Sequence, residues 1–137
     1  MRQLVLSLAI IAHLAGPGQA QGANEAADIR GVISDQIEAF KSDDFNQAFR
    51  FAGPGIQGMF RTPENFGAMV RGGYPMVWRP QELRFGELRE EAGVLWQRII
   101  VRDSEGRAHV LDYRMGQYED GWRIDGVQMV RAPEVAA

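Results

Sequence analysis

The hydrophobic periodicity of this chain changes once, near Tyr74, and that change sets the fold class. Before it, apolar residues recur every three or four positions. After it they alternate, in four runs separated by turn residues. A helical first half followed by consecutive strands predicts an α+β layout, with three N-terminal helices packed on a curved four-stranded antiparallel meander. The first helix is expected over 24–41, where Ile29, Val32, Ile33, Ile37 and Phe40 share one side and Asp28, Arg30, Asp35 and Glu38 the other. Ser42 and Asp43 can cap a second helix carrying Phe45, Ala48, Phe49 and Ala52. Gly53-Pro54-Gly55 stops it, and a short turn follows with Ile56, Met59 and Phe60 pointing inward. Thr62-Pro63 opens the third helix, with Thr as cap and Pro at the first helical position. Its buried stripe is Phe66, Met69 and Val70, and Gly72-Gly73 ends it. Residues 74–80 are expected to be extended, held by Pro75 and Pro80.

Strands are predicted over 83–90, 94–102, 107–118 and 122–130. Their joints, Glu91-Ala92-Gly93, Asp103 to Gly106 and Glu119-Asp120-Gly121, carry hairpin chemistry. With no internal repeat and no second domain, one domain is placed at 29–130. A flexible segment at 21–28 precedes it, and a loose tail at 131–137 follows.

The N-terminus reads as a secretory signal peptide over 1–20. Arg2 is followed by an apolar run from Leu4 to Leu14, and Gly18 and Ala20 set a cut between Ala20 and Gln21. A spanning helix needs roughly 20 apolar residues. This run is about half that, includes Ser7 and His13, and meets Pro17. A lipid anchor would need a cysteine after the cut, and the chain has none. The expected product is exported, periplasmic or secreted, with no membrane span after removal of the signal.

Composition narrows the chemistry. The absence of cysteine excludes disulfides, thiol catalysis and thiolate metal sites. Beyond the signal His109 is the one histidine, so a zinc site with two or three histidines cannot form within one chain. A Ser-His-Asp triad would have to join His109 to Ser34, Ser42 or Ser104, none of which resembles a nucleophile elbow. Without Arg2 the balance is 14 basic against 18 acidic residues, with no basic stripe, so nucleic acid is not an expected partner. No metal and no cofactor is expected.

Two segments carry a resemblance. One is Pro54-Gly55-Ile56-Gln57 with Phe60, Thr62-Pro63, Phe66, Met69-Val70-Arg71, Gly73-Tyr74-Pro75 and Arg79-Pro80; the other is Asp120-Gly121-Trp122-Arg123-Ile124. Together, over about 29–130, they resemble a bacterial family known as domain of unknown function 4864. The second segment is also similar to the cone-shaped nuclear transport factor 2-like superfamily. That resemblance implies helices packed into the concave face of a bent sheet. It implies no activity, because the superfamily holds isomerases, epoxide hydrolases, polyketide cyclases and non-enzymatic binding modules.

Strand register points to a site. If Arg102 pairs with Arg107, then Leu95 faces Arg114, Gln97 faces Asp112 and Ile99 faces Val110. If Tyr118 pairs with Trp122, Asp112 also faces Gln128 and Val110 faces Val130. Gln97, Asp112, Arg114 and Gln128 then sit among Leu95, Ile99, Val101, Val110, Tyr118, Trp122, Ile124 and Val130, as a polar cluster inside an apolar cup. Tyr74 and Trp78 are placed at its mouth. Asp112 is the candidate catalytic base, with Arg114 orienting it or the substrate. The favoured alternative is a structural pair of Asp112 with Arg114 or with backbone groups. The opposite face would carry Trp96, Ile100, His109, Leu111, Tyr113, Val127 and Met129, apolar enough to predict a homodimer. The leading expectation is a non-enzymatic module binding a small apolar ligand or a protein partner. The alternatives are an acid–base enzyme of isomerase, hydratase or cyclase type and a structural subunit of an envelope complex.

Overall fold

The computed structural model describes residues 17–131, so the apolar run at Leu4–Leu14 and the tail beyond Arg131 lie outside the described residues. Three helices stand where the periodicity puts them: α1 (Pro17–Lys41), α2 (Phe45–Arg50) and, after a short α3 (Pro54–Phe60), α4 (Pro63–Gly73). A one-turn α5 (Pro75–Trp78) completes the helical part. The two unexpected helices share a cause. Pro54 and Pro75 each sit in the first turn of a helix, where the missing N–H costs nothing and the fixed φ favours helical entry. A proline that ends one helix thus begins the next, and Tyr74 serves both as the C-terminal cap of α4 and as the N-terminal cap of α5. The first helix is also described from Pro17, ahead of its amphipathic stripe, with proline in the first turn, where its fixed φ suits helical entry. The proposed cleavage point at Ala20–Gln21 falls in that first part of the helix. No described helix is long and apolar enough to cross a membrane.

The strands are β1 (Glu82–Glu91), β2 (Val94–Arg102), β3 (Ala108–Tyr118) and β4 (Gly121–Val130), paired antiparallel in chain order. The α+β class and the meander are therefore as expected. Ala92 and Gly93 both adopt positive φ, 49° and 79°, as a two-residue turn between right-twisted strands requires.

The register of β2 against β3 differs by one residue from the sequence reading. Arg102 pairs with Ala108 rather than Arg107, so Gln97 faces Tyr113, Arg98 faces Asp112 and Ile99 faces Leu111. The cause lies in the loop. The Asp103 and Arg107 backbones are bonded at 2.9 Å, Gly106 N–H donates to Asp103 O at 3.0 Å, and Gly106 takes φ 81°. The loop therefore holds three residues, a turn followed by a left-handed glycine, and not four. Asp103 fixes it by accepting from the N–H groups of Glu105 and Arg107, each at 2.9 Å. Because side chains alternate, this single step carries every β3 residue to the other face.

Two bulges complete the sheet. One lies on β1 between Phe85 and Leu88; the other inserts Asp125 into β4 opposite Arg114 and Met115. The second bulge offsets the Tyr118–Gly121 closure, so the expected pairs Asp112–Gln128 and Val110–Val130 form.

The helices cover one sheet face. Ile29, Ile33, Ile37 and Phe40 of α1, with Phe66 and Val70 of α4, bury against Ile99, Val101, Leu111, Tyr113, Met115 and Ile124. Leu111 and Tyr113 are thus core residues, and the exposed apolar face expected to contain them does not. The uncovered face carries Trp96, Ile100, Val110 and Val130 among Arg98, Asp112, Arg114 and Gln128. The end of α2 is tied to the sheet through a bridge between Ala52 and Ile124, with Gly53 N–H donating to Ile124 O at 2.7 Å.

Candidate functional site

Where the helices meet the sheet they leave a cavity of about 260 Å³. Phe40 of α1, Ile56 and Phe60 of α3, Phe66, Met69 and Val70 of α4, and Val77 of α5 form the helical wall. Tyr113, Ile124 and Val127 form the sheet wall. The wall is largely apolar because each contributing stripe faces inward at its own period, helical on one side and alternating on the other. Phe66 fixes the aromatic part, tilted against Phe40, Phe49 and Phe60 at ring-centre distances of 5.9, 5.4 and 6.0 Å.

Few polar groups reach this space. Gln36 donates to Ala48 O at 3.1 Å, which joins α1 to α2. Asp125, the bulged residue of β4, accepts from the Tyr118 hydroxyl at 2.8 Å. Its carboxylate lies directly against Gly53 and Gly116, where any Cβ would collide with it. Tyr74, at the joint of α4 and α5, brings a second phenol to the lining. Tyr113 is the more deeply buried of the two phenols. It is 1% exposed and lines the cavity, yet its hydroxyl forms no hydrogen bond among the described residues. Burial, and then the neighbouring Tyr74, push its pKa well up, so it stays a neutral donor at any ordinary pH.

Of the six pocket candidates named from sequence, Tyr74 lines this cavity, and Trp78, Gln97, Asp112, Arg114 and Gln128 do not. Asp112 lies on the uncovered face, opposite in orientation to Gln97, and cannot form the predicted cluster with it. Arg98 grips Asp112 from Nε and Nη2 at 3.0 and 3.1 Å, and Arg89 adds a bond from Nη2 at 2.9 Å. Burial alone would raise the Asp112 pKa, but the bonds from Arg98 and Arg89 outweigh it and hold the carboxyl below its ordinary value. A carboxylate held this way is a poor general base. The structural alternative describes Asp112, with Arg89 and Arg98 as partners rather than Arg114. Arg114 is exposed and reaches the Asp125 carbonyl at 3.3 Å, and Gln128 is exposed beside Asp112.

Gln97 is fully buried on the helix-covered face, away from the cavity. Its Nε2 donates to Gly86 O at 3.1 Å and Arg98 O at 2.9 Å, satisfying carbonyls that the β1 bulge leaves free. Trp78 does not line this cavity. It donates from Nε1 to Asp43 at 2.9 Å and lies under the Arg79 guanidinium. His109 sits 2.8 Å from Asp103 and braces the β2–β3 loop.

Sequence reasoning missed Tyr113 and Asp125. The signal for Asp125 was present in Gly116 and Gly126, because glycine inside a strand run marks a bulge or a close backbone approach. Nothing in the alternation marked Tyr113 as different from an ordinary core residue once the register was off by one.

The family model described as Domain of unknown function (DUF4864) matches residues 22–137. The chain belongs to this family. The match takes in both the cavity-lining helices and the whole sheet, so the cavity is built from DUF4864 segments throughout. No curated protein and no solved structure matches the chain.

Proposed function

We propose that this DUF4864 protein is an exported module that binds a small, mostly apolar molecule between its helices and its sheet. The observation that carries this reading is the cavity itself: an open apolar space walled by Phe40, Phe60, Phe66, Tyr74 and Val127, with few polar groups. Packed domains leave few voids larger than a water molecule, so a space of this size in the core layer calls for an occupant. The acid–base reading loses its base, since Asp112 lies on the other face of the sheet and is already paired. Export rests on Arg2, the Leu4–Leu14 run and the small residues before Gln21. Mass spectrometry of the exported chain is expected to find a start at or near Gln21.

The binding test is a calorimetric titration with tetralin, a hydrocarbon of the right size, against the protein and Val127→Trp. Binding to the protein and its loss in the folded variant support the reading. Absence of binding, or equal binding by the variant, overturns it.

A further inference from the structure

The cavity says more about its occupant than that it is apolar. An apolar cavity of 150 Å³ holds benzene, so about 260 Å³ holds roughly ten non-hydrogen atoms. The lining has one charged side chain, Asp125, and it is negative. Among the described residues no arginine or lysine faces the space, so an anionic headgroup would enter a site with a carboxylate and no counter-charge there. A fatty-acid-like ligand is disfavoured on that ground. Gln36 Nε2 and one carboxylate oxygen of Asp125 are engaged within the protein. The hydroxyls of Tyr113 and Tyr74 make no hydrogen bond among the described residues, and that of Tyr113, on a residue only 1% exposed, is not sealed off from the cavity it lines.

We propose that the cavity is selective for a neutral, largely hydrocarbon or aromatic molecule of about ten non-hydrogen atoms bearing one carbonyl oxygen, which accepts a hydrogen bond from Tyr113. This rests on the binding reading above and adds the chemical class of the ligand. The hydrocarbon part lies among Phe40, Phe60 and Phe66, and the oxygen meets the sheet wall.

Three probes with one ring skeleton separate the terms: tetralin, alpha-tetralone and tetralin carboxylate. The ketone is expected to bind the protein about five- to tenfold tighter than tetralin, the difference one hydrogen bond makes. The carboxylate is expected not to bind at concentrations that saturate with the ketone. Tyr113→Phe removes an unpartnered hydroxyl and keeps the ring, and it should bring the ketone down to the affinity of tetralin. The infrared carbonyl stretch of bound ketone should fall relative to its value in hydrocarbon solvent, which tests the bond without any variant. Equal affinities for ketone and tetralin, an unshifted stretch, or an unchanged ratio in Tyr113→Phe overturn the Tyr113 assignment while the apolar cavity stands. Tight binding of the carboxylate overturns the neutral class. Failure of all three probes overturns the cavity reading together with this one.

Discussion

Arg79 Nη2 meets both carboxylate oxygens of Asp43 at 3.0 Å, and the same guanidinium donates from Nη1 to Phe40 O and Lys41 O at 2.8 and 2.7 Å. One side chain thus binds the last carbonyls of α1 and the residue at φ 55° that turns the chain toward α2. Trp78 stacks on Arg79 at 4.4 Å and shares Asp43. The Trp-Arg-Pro segment, read from sequence as extended, is a clip between α1 and α5, the short helix that adds Val77 to the cavity wall. Arg79→Lys keeps the charge but cannot make the planar fork. It should cost about 1 kcal/mol, through the two backbone bonds rather than the exposed ion pair. Thermal unfolding measures this, and a shift in Trp78 fluorescence should accompany it.

Asp112 offers a pH test with a definite sign. Its folded pKa is lowered, because the bonds from Arg98 and Arg89 outweigh the cost of burial. The pairing therefore stabilises fully above the unfolded value, near 3.8, and is lost as pH falls through the lower folded value. Asp112→Asn leaves the partly buried Arg98 without its hydrogen-bonded anion and Arg89 with Glu91 alone at bonding distance, and should cost about 2 kcal/mol at neutral pH. The gap between the two proteins should close as pH drops below about 4, measured by urea unfolding across pH. Ligand binding in the cavity should be unchanged, since Asp112 is on the far side of the sheet.

The change from helical to strand periodicity, the three amphipathic stripes and all four strands were legible because each repeats one period over many positions, although the short α5 places the change after Trp78 and not at Tyr74. Pro54 was read as part of a stop and Pro75 as holding an extended stretch, and neither as a start, since proline suits all three settings and only the following backbone decides. The site failed at one loop. Asp103 to Gly106 permits a three- or a four-residue connection, and that choice is made by local bonds to Asp103 that alternation cannot register. One residue there moved Asp112 out of the cup and Tyr113 into it. The β3–β4 pairing of Asp112 with Gln128 came out as expected only because the Asp125 bulge offset a tighter turn.

The α3–α4 junction gives a prediction on which sequence and structure agree. Thr62 Oγ1 accepts from Asn65 N–H at 3.1 Å, with Pro63 in the first turn of α4. Thr62→Ala should cost about 1 kcal/mol through the lost cap. Thr62→Ser should restore most of it. Equal stability of all three in urea would mean that Pro63 and tertiary packing alone define this helix start.

Gly53 and Asp125 form a pair that links helix packing to the cavity wall. Gly53 has an ordinary φ of −70°, so an alanine there is not strained by its backbone. What excludes a Cβ is the Asp125 carboxylate, held in place by the bulge in β4 and by the Tyr118 hydroxyl. Gly53→Ala should therefore cost about 2 kcal/mol as an overpacking change. Asp125→Ala alone loses one bond to an exposed tyrosine and should cost less, on the order of 1 kcal/mol. In the double variant the added methyl enters the space the carboxylate vacates. The two effects should then fall short of additive by at least about 0.5 kcal/mol, read from a double-mutant cycle in urea. Strict additivity would place the obstruction in the backbone of Ile124, whose carbonyl oxygen lies 3.4 Å from the same Cβ position.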